Sequence, residues 1–367
     1  MIPSAYIHVP FCGGLCTYCA FEKTTALSLI DPWLNRITRE ISSSLHQARK
    51  ENPDFSLKTI YIGGGTPSVL SVDQLEKLCA VLSPYFSKEG EWTVELNPES
   101  ADKQKLGVLK KAGVNRLSIG IQSFDDQRLA RLGRHHSARQ SMELMKLARN
   151  MGFENISVDL MYGFADQTME ELERDLTQFL DLKADHLSIY SLIREPGTIL
   201  EATIKEEMDE ELNARMYERI EEMLTQAGYE HYEVSSYARK GKQGLHNLLI
   251  WQDGRYYGFG KGAVGRDDQG LYHHGGTLMD YIQGKSEIIR EEDENPWFDA
   301  IMTALRTTRG LDIRTWNERY GLDFENRYEG VLSKNSEYLM RKGDFLSVNR
   351  KGMEVLDTIL VDFLGVD

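Results

Sequence analysis

Cysteine is scarce in this sequence, and neither a long apolar run nor an excess of positive charge is present. Only four of the 367 residues are cysteine, which is too few for a disulfide framework and is typical of a reducing compartment. Because no run of about 18 apolar residues occurs, we expect no membrane span. The formal net charge of −14 argues against nucleic-acid binding. No presequence is recognisable, so we expect a cytoplasmic protein.

Three of the four cysteines lie within eight positions. Cys12, Cys16 and Cys19 have the spacing C-x3-C-x2-C, on a loop after a strand predicted at residues 6–9. Three thiolates in this arrangement can each bind one iron of a cubane cluster, and the fourth iron then has no protein ligand. Two glycines between the first two cysteines let the backbone curve around a bulky group. The loop therefore predicts a 4Fe-4S cluster.

A zinc site is the alternative for the same loop. His8 stands four residues before Cys12 and could supply the fourth ligand of a tetrahedral zinc ion. Chance clustering of buried free thiols is a weaker alternative. The fourth cysteine, Cys79, lies in an apolar helical pattern and is predicted to be core.

Strands and helices alternate after the cysteine loop. Strands are predicted near residues 59–62, 93–96, 116–121, 156–160, 186–192 and 230–234. Three of the intervening helices are predicted to end at glycine, namely Gly113, Gly152 and Gly228. Repeated strand-helix units indicate a parallel α/β sheet with right-handed crossovers, either a full or partial barrel or an open doubly wound sheet. In both cases sites gather at the carboxyl ends of the strands.

Two helix starts are predicted from capping residues. Ser71 followed by Gln74 has the pattern of a capping box. Asp31 is predicted to cap a helix that has Pro32 in its first turn.

The composition changes after about residue 237. Glycine becomes frequent, and residues 251–256 predict a hairpin with an Asp-Gly turn. Helical patterns return beyond residue 290, with one strand at residues 345–348. We therefore expect an α/β domain over residues 1–236, a glycine-rich β-containing linker region over 237–290, and a small, mainly helical, winged-helix-like domain over 291–367.

Polar residues stand at several predicted strand ends. The glycine-rich segment 63–67 can bring backbone N–H groups close to a ligand, although a plain turn has the same sequence. Glu95 can accept hydrogen bonds from a ribose or an ammonium group. Gln122, Arg134 and Asp159 are further candidates. The alternatives are a structural ion pair for the two carboxylates, a strand-end cap for the glutamine and a solvated surface charge for the arginine.

The order of the motifs resembles one branch of the radical S-adenosylmethionine (SAM) proteins. The motifs are Tyr-x-His-x-Pro-Phe-Cys, Gly-Gly-Gly-Thr-Pro, Glu-Leu-Asn-Pro-Glu, Gly-Ile-Gln-Ser-Phe, Gly-Arg-x-His and Asp-Leu-Met-Tyr-Gly. That branch contains the oxygen-independent coproporphyrinogen III oxidases and the HemW-type haem chaperones. The resemblance implies a partial parallel (β/α) barrel and a cluster on Cys12, Cys16 and Cys19. It also implies SAM contacts from Tyr6, Tyr18, Gly64, Gly65, Thr66, Glu95, Gln122, Arg134 and Asp159.

The resemblance also implies a reaction. In radical SAM proteins the open iron binds the amino and carboxylate groups of SAM, and an electron from the cluster breaks the sulfonium bond to release a 5′-deoxyadenosyl radical. A partner that donates electrons to the cluster is therefore expected. No catalytic side chain is assigned.

Two features separate the chaperones from the oxidases. The oxidases carry a further cysteine where this chain has Phe21. Residues 246–251 resemble the His-Asn-x-x-Tyr-Trp signature of the chaperones, with Ile250 in place of the tyrosine. An imidazole can ligate haem iron and an indole can stack on a porphyrin, so His246, Asn247 and Trp251 are the haem candidates. The alternative is that the histidine caps a hairpin and the tryptophan is core.

Other histidines could ligate haem instead, and most of them are expected to be solvated; they are His135, His136, His186, His273 and His274. The primary hypothesis is a protein that binds haem, or another tetrapyrrole, and delivers it to an acceptor protein. A coproporphyrinogen-decarboxylating radical enzyme is the first alternative, and a zinc-stabilised interaction protein is the second.

Overall fold

The computed structural model describes residues 2–203, 209–291 and 295–366. The chain forms two compact units, one of residues 1–216 with 255–291 and one of residues 217–254 with 292–367. This grouping differs from the three predicted parts, because residues 255–291 belong with the first unit and residues 217–254 with the second. Within the described residues, no helix combines the length and apolar character needed to cross a bilayer.

Fifteen strands lie in the described ranges. They are β1 Ser4–Val9, β2 Leu57–Gly64, β3 Phe86–Leu96, β4 Arg116–Gln122, β5 Ile156–Tyr162, β6 His186–Ser191, β7 Glu230–Glu233, β8 Ser236–Ala238, β9 Tyr257–Phe259, β10 Val264–Asp267, β11 Gly270–His274, β12 Ile288–Arg290, β13 Leu311–Asp312, β14 Leu339–Lys342 and β15 Phe345–Val348. In the first unit, seven strands pair in parallel in the order β6-β5-β4-β3-β2-β1-β9. The predicted parallel α/β sheet is confirmed.

The α-helices in the same ranges are α1 Ile30–Glu51, α2 Val72–Leu82, α3 Lys103–Ala112, α4 Asp126–Arg131, α5 Ala138–Asn150, α6 Met169–Leu182, α7 Ile199–Thr203, α8 Glu210–Gln226, α9 Leu245–Trp251, α10 Leu278–Ile282, α11 Pro296–Leu305, α12 Ile313–Tyr320, α13 Phe324–Arg327, α14 Glu329–Lys334, α15 Arg350–Glu354 and α16 Leu356–Leu364. The three glycines that were predicted to end helices all adopt left-handed backbone angles, with φ of 108° at Gly113, 80° at Gly152 and 84° at Gly228.

One of the two predicted helix starts is confirmed and the other is wrong. Ser71 and Gln74 form the predicted capping box of α2. Helix α1 begins at Ile30, because a short 3-10 turn at residues 27–29 continues directly into it. Asp31 therefore lies inside the first turn, where its Oδ1 accepts a hydrogen bond from Nε2 of Gln74 at 2.7 Å.

The two faces of the parallel sheet differ in chemistry. One face of each strand is apolar and buried, as with Ile119 and Ile121 of β4. The opposite face carries polar side chains, most of them half-buried, and the register places them in rows across neighbouring strands. Tyr6 pairs with Tyr61, Glu95 with Ser118, and Gly120 with Asp159. A polar interior therefore leads to the carboxyl ends of the strands.

Residues 237–290 have more structure than the predicted linker. Strand β9 joins the parallel sheet beside β1, and β10, β11 and β12 form a small antiparallel sheet in the first unit. The hairpin predicted at residues 251–256 is wrong, since α9 runs to Trp251 and Asp253 takes a left-handed φ of 58° to end it. The Asp-Gly pair therefore serves as a helix end.

The second unit is mainly helical, with a small antiparallel sheet in the order β13-β15-β14. The strand predicted at residues 345–348 is confirmed as β15. Aromatic side chains dominate the core of this unit: Trp316, Phe324, Tyr328 and Phe363 are all buried and contact one another edge to face or tilted.

Candidate functional site

The three predicted cluster cysteines lie on the loop that leaves β1 at the carboxyl end of the parallel sheet. Cys12 is buried, and Cys16 and Cys19 are half-buried; all three are free thiols. The backbone N–H of Cys12 donates to the carbonyl oxygen of Thr24 at 3.0 Å, which closes the loop on itself. The thiols therefore lie where parallel α/β folds place their sites.

Two predicted SAM residues donate hydrogen bonds to the cysteine sulfurs. Oγ1 of Thr66 lies 3.6 Å from Sγ of Cys12, and Nη1 of Arg134 lies 3.6 Å from Sγ of Cys16. Asn97 connects the two donors. Its Nδ2 donates to Oγ1 of Thr66 at 3.2 Å, and its Oδ1 accepts from Nη2 of Arg134 at 2.9 Å. The cysteine loop is thereby tied to the ends of β2, β3 and β4.

The cysteines fit a cluster on their chemistry. Burial raises the pKa of the Cys12 thiol; the Thr66 hydroxyl lowers it, the neighbouring Cys16 and Cys19 raise it, and Lys23 lowers it. Three thiolates gathered in a buried place require a positive counter-charge, which the irons of a cluster supply. Hydrogen-bond donors already directed at two of the sulfurs are the surroundings expected of an iron-sulfur site.

The zinc alternative does not match the surroundings of His8. Its Nε2 is 2.9 Å from the carbonyl oxygen of Glu22, and its Nδ1 is 3.1 Å from the hydroxyl of Tyr6. Both ring nitrogens are therefore engaged within the protein. Across residues 2–203, 209–291 and 295–366, no three His, Cys, Asp or Glu side chains converge to hold a single metal ion.

The glycine-rich segment after β2 is required by packing against β1. A Cβ at Gly64, where φ is 106°, would lie 2.5 Å from the His8 ring, and a Cβ at Gly65 would lie 2.7 Å from the carbonyl oxygen of Phe11. The backbone N–H groups are used internally: those of Gly65 and Thr66 donate to the carbonyls of Val9 and Phe11, both at 2.8 Å, and that of Gly64 to Glu95. In this conformation the three amides hold the segment against β1, the cysteine loop and β3.

Glu95 is a half-buried carboxylate, and its hydrogen-bond donors are neutral. Its Oε1 accepts from the Tyr61 hydroxyl at 2.7 Å, and its Oε2 accepts from the N–H of Gly64 at 3.1 Å. Burial raises the pKa of Glu95 to about 7; the charge of Asp159 raises it further, and the two hydrogen bonds oppose the increase. Two carboxylates cannot form an ion pair with each other, so the structural alternative requires a cationic partner, and Arg116 and Arg134 act on Asp159 in this way. A cationic or hydroxyl-bearing ligand would complete this site.

Asp159 and Tyr6 lie deeper in the polar interior, three residues before their strands end. Both oxygens of Asp159 accept from the Ser118 hydroxyl, at 3.1 and 3.2 Å. Burial raises the pKa of Asp159 to about 6, against the lowering effect of its serine hydrogen bonds and nearby arginines. Burial, with Glu95 nearby, also raises the pKa of Tyr6. These groups form the floor beneath Glu95.

Gln122 and Arg134 are both 9% exposed, so Arg134 is not the solvated surface charge of the alternative hypothesis. Nη2 of Arg134 donates to the carbonyl oxygen of Gly120 at 2.7 Å. Gln122 is the last residue of β4 and has a positive φ of 70°. A β-bulge lies between it and Gly120. Tyr18, between two of the cysteines, packs against the buried cluster of Leu132, Met161 and Phe164.

Sequence reasoning missed several residues of this network. Asn97 links the two thiol donors, and Tyr61 supports Glu95. Glu99 pairs with His136, with 3.1 Å between Oε2 and Nδ1, and Nε2 of that histidine lies 3.1 Å from the carbonyl oxygen of Ile121. The motifs could have indicated these residues. Glu-Leu-Asn-Pro-Glu contains Asn97 and Glu99, and Gly-Arg-x-His contains His136.

The three haem candidates lie on helix α9 in the second unit. Asn247 and Trp251 are four residues apart and share a face of the helix, whereas His246 precedes Asn247 by one residue and is turned by about 100°. His246 is only 2% exposed. The guanidinium of Arg306 lies 5.0 Å from the centroid of the Trp251 ring.

The expectation that most other histidines are solvated is wrong. His136, His186 and His274 are buried, and each has a hydrogen-bond partner. For His274 the partner is Glu40 of α1, with 2.9 Å between Nε2 and Oε1. His135 is exposed at the surface of the cysteine loop, where it packs on Gly14.

Comparison with known families gives two matches. A model described as the Radical SAM superfamily matches residues 6–179, and one described as the HemN C-terminal domain matches residues 292–355. Among solved structures, the coproporphyrinogen III oxidase HemN of Escherichia coli aligns with 99% of this chain and 90% of its own, at a TM-score of 0.82 and 22% identity. This likeness confirms the predicted fold, a radical SAM-type α/β barrel domain with a helical C-terminal domain.

Curated relatives are more similar in sequence. The protein named heme chaperone HemW from Bacillus subtilis (strain 168) is 36% identical, with 94% of this chain and 96% of the relative covered. The protein of the same name from Lactococcus lactis is 33% identical over 98% and 97% of the two chains. Radical S-adenosyl methionine domain-containing protein 1, mitochondrial, from Mus musculus is 37% identical over 98% and 86%.

Proposed function

Since the chain belongs to the radical SAM superfamily and, within it, to the family of the curated HemW haem chaperones, we propose that it binds haem and delivers it to acceptor proteins. The observation that carries the proposal is likeness over nearly the whole length. The match to the Bacillus subtilis relative covers 94% of this chain, so both units of this protein have a counterpart in it.

The cysteine loop supports the cofactor part of the proposal. Cys12, Cys16 and Cys19 hold the 4Fe-4S cluster, while Thr66 and Arg134 donate to two of the sulfurs. The cluster, when bound, supplies electron transfer to SAM. Glu95 lies near the same strand ends and would accept hydrogen bonds from the polar groups of SAM. The remaining proposed SAM contacts are Tyr6, Tyr18, Gly64, Gly65, Gln122 and Asp159.

Phe21 favours the chaperone over the oxidase. It occupies the position of the further cysteine of the decarboxylating oxidases, and its side chain is 67% exposed on the cysteine loop. A phenyl ring has neither a thiol nor a titratable proton, so it cannot take over the chemistry of a cysteine. The structural likeness to HemN, at 22% identity, shows a shared fold and does not transfer its activity.

The proposed partners follow from this role. They are haem, an acceptor protein and an electron donor for the cluster. We place the protein in the cytoplasm, because three cluster cysteines must remain reduced before the cluster is assembled. Within the second unit, His246, Asn247 and Trp251 are the proposed haem residues.

The test is an anaerobic haem titration of the cluster-reconstituted protein, followed by the Soret band. We expect saturation at a single haem per chain and weaker binding by His246→Ala. His46→Ala, which removes an exposed histidine of α1, is the matched control and is expected to bind haem as the parent does.

The proposal fails if the parent protein shows no saturable haem binding. Anaerobic incubation with coproporphyrinogen III, SAM and a reductant then distinguishes the alternative, because an oxidase forms protoporphyrinogen IX and a chaperone does not.

A further inference from the structure

The second unit contains a cavity that neither the cluster nor the haem candidates use. Its volume is about 210 Å³. Its apolar lining includes Ala304, Trp316 and Phe345, and the exposed Arg309 and Arg319 line its solvent-facing opening. Ala300 lies one helical turn before Ala304 on α11, and these two small side chains leave the space open. The cavity thus combines an apolar interior with guanidinium groups at its opening, which is the usual composition of a ligand site.

The opening of the cavity is built on the end of helix α9. Three successive residues there each meet a different arginine. The guanidinium of Arg306 lies 5.0 Å from the centroid of the Trp251 ring, Nη1 of Arg309 donates to Oε1 of Gln252 at 2.8 Å, and Arg319 forms an ion pair with Asp253. The helix that carries the haem candidates therefore ends at an arginine cluster, here defined as Arg306, Arg309 and Arg319.

Two carboxylates also line the cavity, and both are already engaged. Asp253 is held by Arg319, and Asp312 caps α12 by accepting a hydrogen bond from the N–H of Thr315 at 3.0 Å. Arg309 is exposed, and its guanidinium lies 5.4 Å from the Phe345 ring centroid. A guanidinium has five N–H donors, so Arg309 can bind a carboxylate in addition to Gln252.

We propose that this cavity and its arginine cluster bind the propionate-bearing edge of haem, with Arg309 as the principal carboxylate ligand. The inference rests on the proposed haem-binding function and assigns the part of the protein that holds the haem carboxylates. The cavity is smaller than the roughly 300–1,000 Å³ of sites that enclose a drug-sized ligand, so it takes one edge of the macrocycle.

The length of α9 agrees with this assignment. The six helical steps from His246 to Gln252 span about 9 Å at the helical rise. That length is comparable with the distance from the iron of haem to its propionate carboxylates. One haem can therefore reach from the helix that carries the candidate iron ligand to the arginine cluster at its end.

The test compares three porphyrins on the full chain. Ferric haem has both iron and carboxylates, protoporphyrin IX has carboxylates without iron, and haem dimethyl ester has iron with its carboxylates capped. We expect the parent protein to bind the dimethyl ester at least about tenfold more weakly than haem, since a charge-assisted hydrogen bond is lost.

Two variants separate the charge of the site from its shape. Arg309→Gln is expected to weaken the binding of haem and of protoporphyrin IX about tenfold and to leave the affinity for the dimethyl ester unchanged. Ala304→Leu fills the cavity and is expected to weaken all three. Arg314→Gln is the matched control, because Arg314 is an exposed arginine of α12 that does not line the cavity. It is expected to bind all three porphyrins as the parent does.

The proposal is overturned if the parent binds haem and its dimethyl ester equally while Arg309→Gln changes neither. In that case a loss of haem binding in His246→Ala still supports the haem-binding function, so the two failures are distinguishable. If the parent binds none of the three porphyrins, both proposals fail. Thermal melting of each variant separates lost contacts from lost folding.

Discussion

The side-chain oxygen of Asn97 accepts a hydrogen bond from Nη2 of Arg134 at 2.9 Å, which joins two residues that are 37 positions apart in the chain. The amide nitrogen of the same asparagine donates to Thr66. Because these two partners donate to Cys16 and Cys12, a single amide fixes the direction of both hydrogen bonds to the thiols. Asn97 is therefore a positioning residue for the cysteine loop.

Asn97→Ala is expected to weaken the cluster without abolishing it. Removal of a residue that orients the surroundings of a metal site reduces metal affinity by about 10-fold to 100-fold. The measurement is iron and sulfide retained after anaerobic reconstitution and dilution, together with the reduction potential of the cluster. Asn115→Ala is the control, because it removes two hydrogen bonds to the middle of β3, at Trp92 and Gly90, away from the cysteine loop. Equal retention in the two variants would contradict the assignment.

Replacement of any one cluster cysteine by alanine is expected to remove the cluster. Cys79→Ala is the matched control: that thiol is buried in α2, and burial raises its pKa to about 12, so it forms little thiolate. We expect about four irons and about four acid-labile sulfides per chain in the parent and the control. The three cluster variants should contain almost none of either. Stoichiometric zinc without sulfide would instead establish the zinc alternative.

Gly64→Ala and Gly330→Ala form a matched pair that tests the glycine-rich segment. Alanine at position 64 must adopt a φ of 106° and place its Cβ 2.5 Å from the His8 ring, whereas alanine at position 330, exposed on α14, meets no atom within 4 Å. The first variant is expected to lose about 2 kcal/mol or more of folding stability, because the cost of the strained backbone adds to the cost of overpacking against the His8 ring. SAM affinity, measured by equilibrium dialysis of the reconstituted protein, should fall with it. The second variant should match the parent, and similar losses in both would refute the packing argument.

The raised pKa of Glu95 predicts that the folding stability of the cluster-free protein depends on pH. The folded protein raises its pKa from 4.5 to about 7 through burial, so the folded state holds the proton more tightly than the unfolded chain. The stabilisation is complete below pH 4.5 and is lost as the pH rises through about 7. The charge of Asp159 also disfavours ionisation of the Glu95 carboxyl group, whereas the hydrogen bonds from Tyr61 and from the N–H of Gly64 favour it.

The test compares parent and Glu95→Gln at about pH 4.5 and about pH 8 by chemical unfolding. When the pH is raised, the free energy of unfolding of the parent should fall by about 3 kcal/mol more than that of the variant, because one pKa unit corresponds to about 1.4 kcal/mol. Glu89→Gln, an exposed substitution on β3, should follow the parent. A parallel pH response of parent and Glu95→Gln would show that this carboxyl group does not titrate as the structure indicates. SAM affinity should rise over the same interval only in proteins that retain Glu95.

Local chemistry determined a large part of this protein from sequence alone. The C-x3-C-x2-C spacing, the capping box of Ser71 and Gln74, and the glycines that end three helices each involve residues a few positions apart. The alternation of strands and helices determined the parallel sheet, and the order of the motifs determined the family. These features depend on backbone conformations that a short segment adopts by itself or on a pattern that needs no coordinates.

Only the tertiary structure decided which polar groups meet. Asn97 contacts Thr66 because the strand register brings the ends of β2 and β3 together. It contacts Arg134, and Glu99 contacts His136, because those two residues of the α4–α5 loop bond to the carbonyls of Gly120 and Ile121 in the neighbouring β4. The chain between those ends does not specify that register locally. For the same reason, the internal use of the Gly65 and Thr66 amides became visible only once β1 was packed beside them.

The end of α9 shows most directly what the local sequence leaves undetermined. An Asp-Gly pair suits a hairpin turn and also the left-handed end of a helix, so the residues themselves favour neither. In the folded protein, Asp253 takes a φ of 58° and pairs with Arg319, which lies 66 positions away. A contact of that range has no signature in the local sequence. It nevertheless helps decide that His246 and Trp251 belong to a helix and that this helix ends at the arginine cluster.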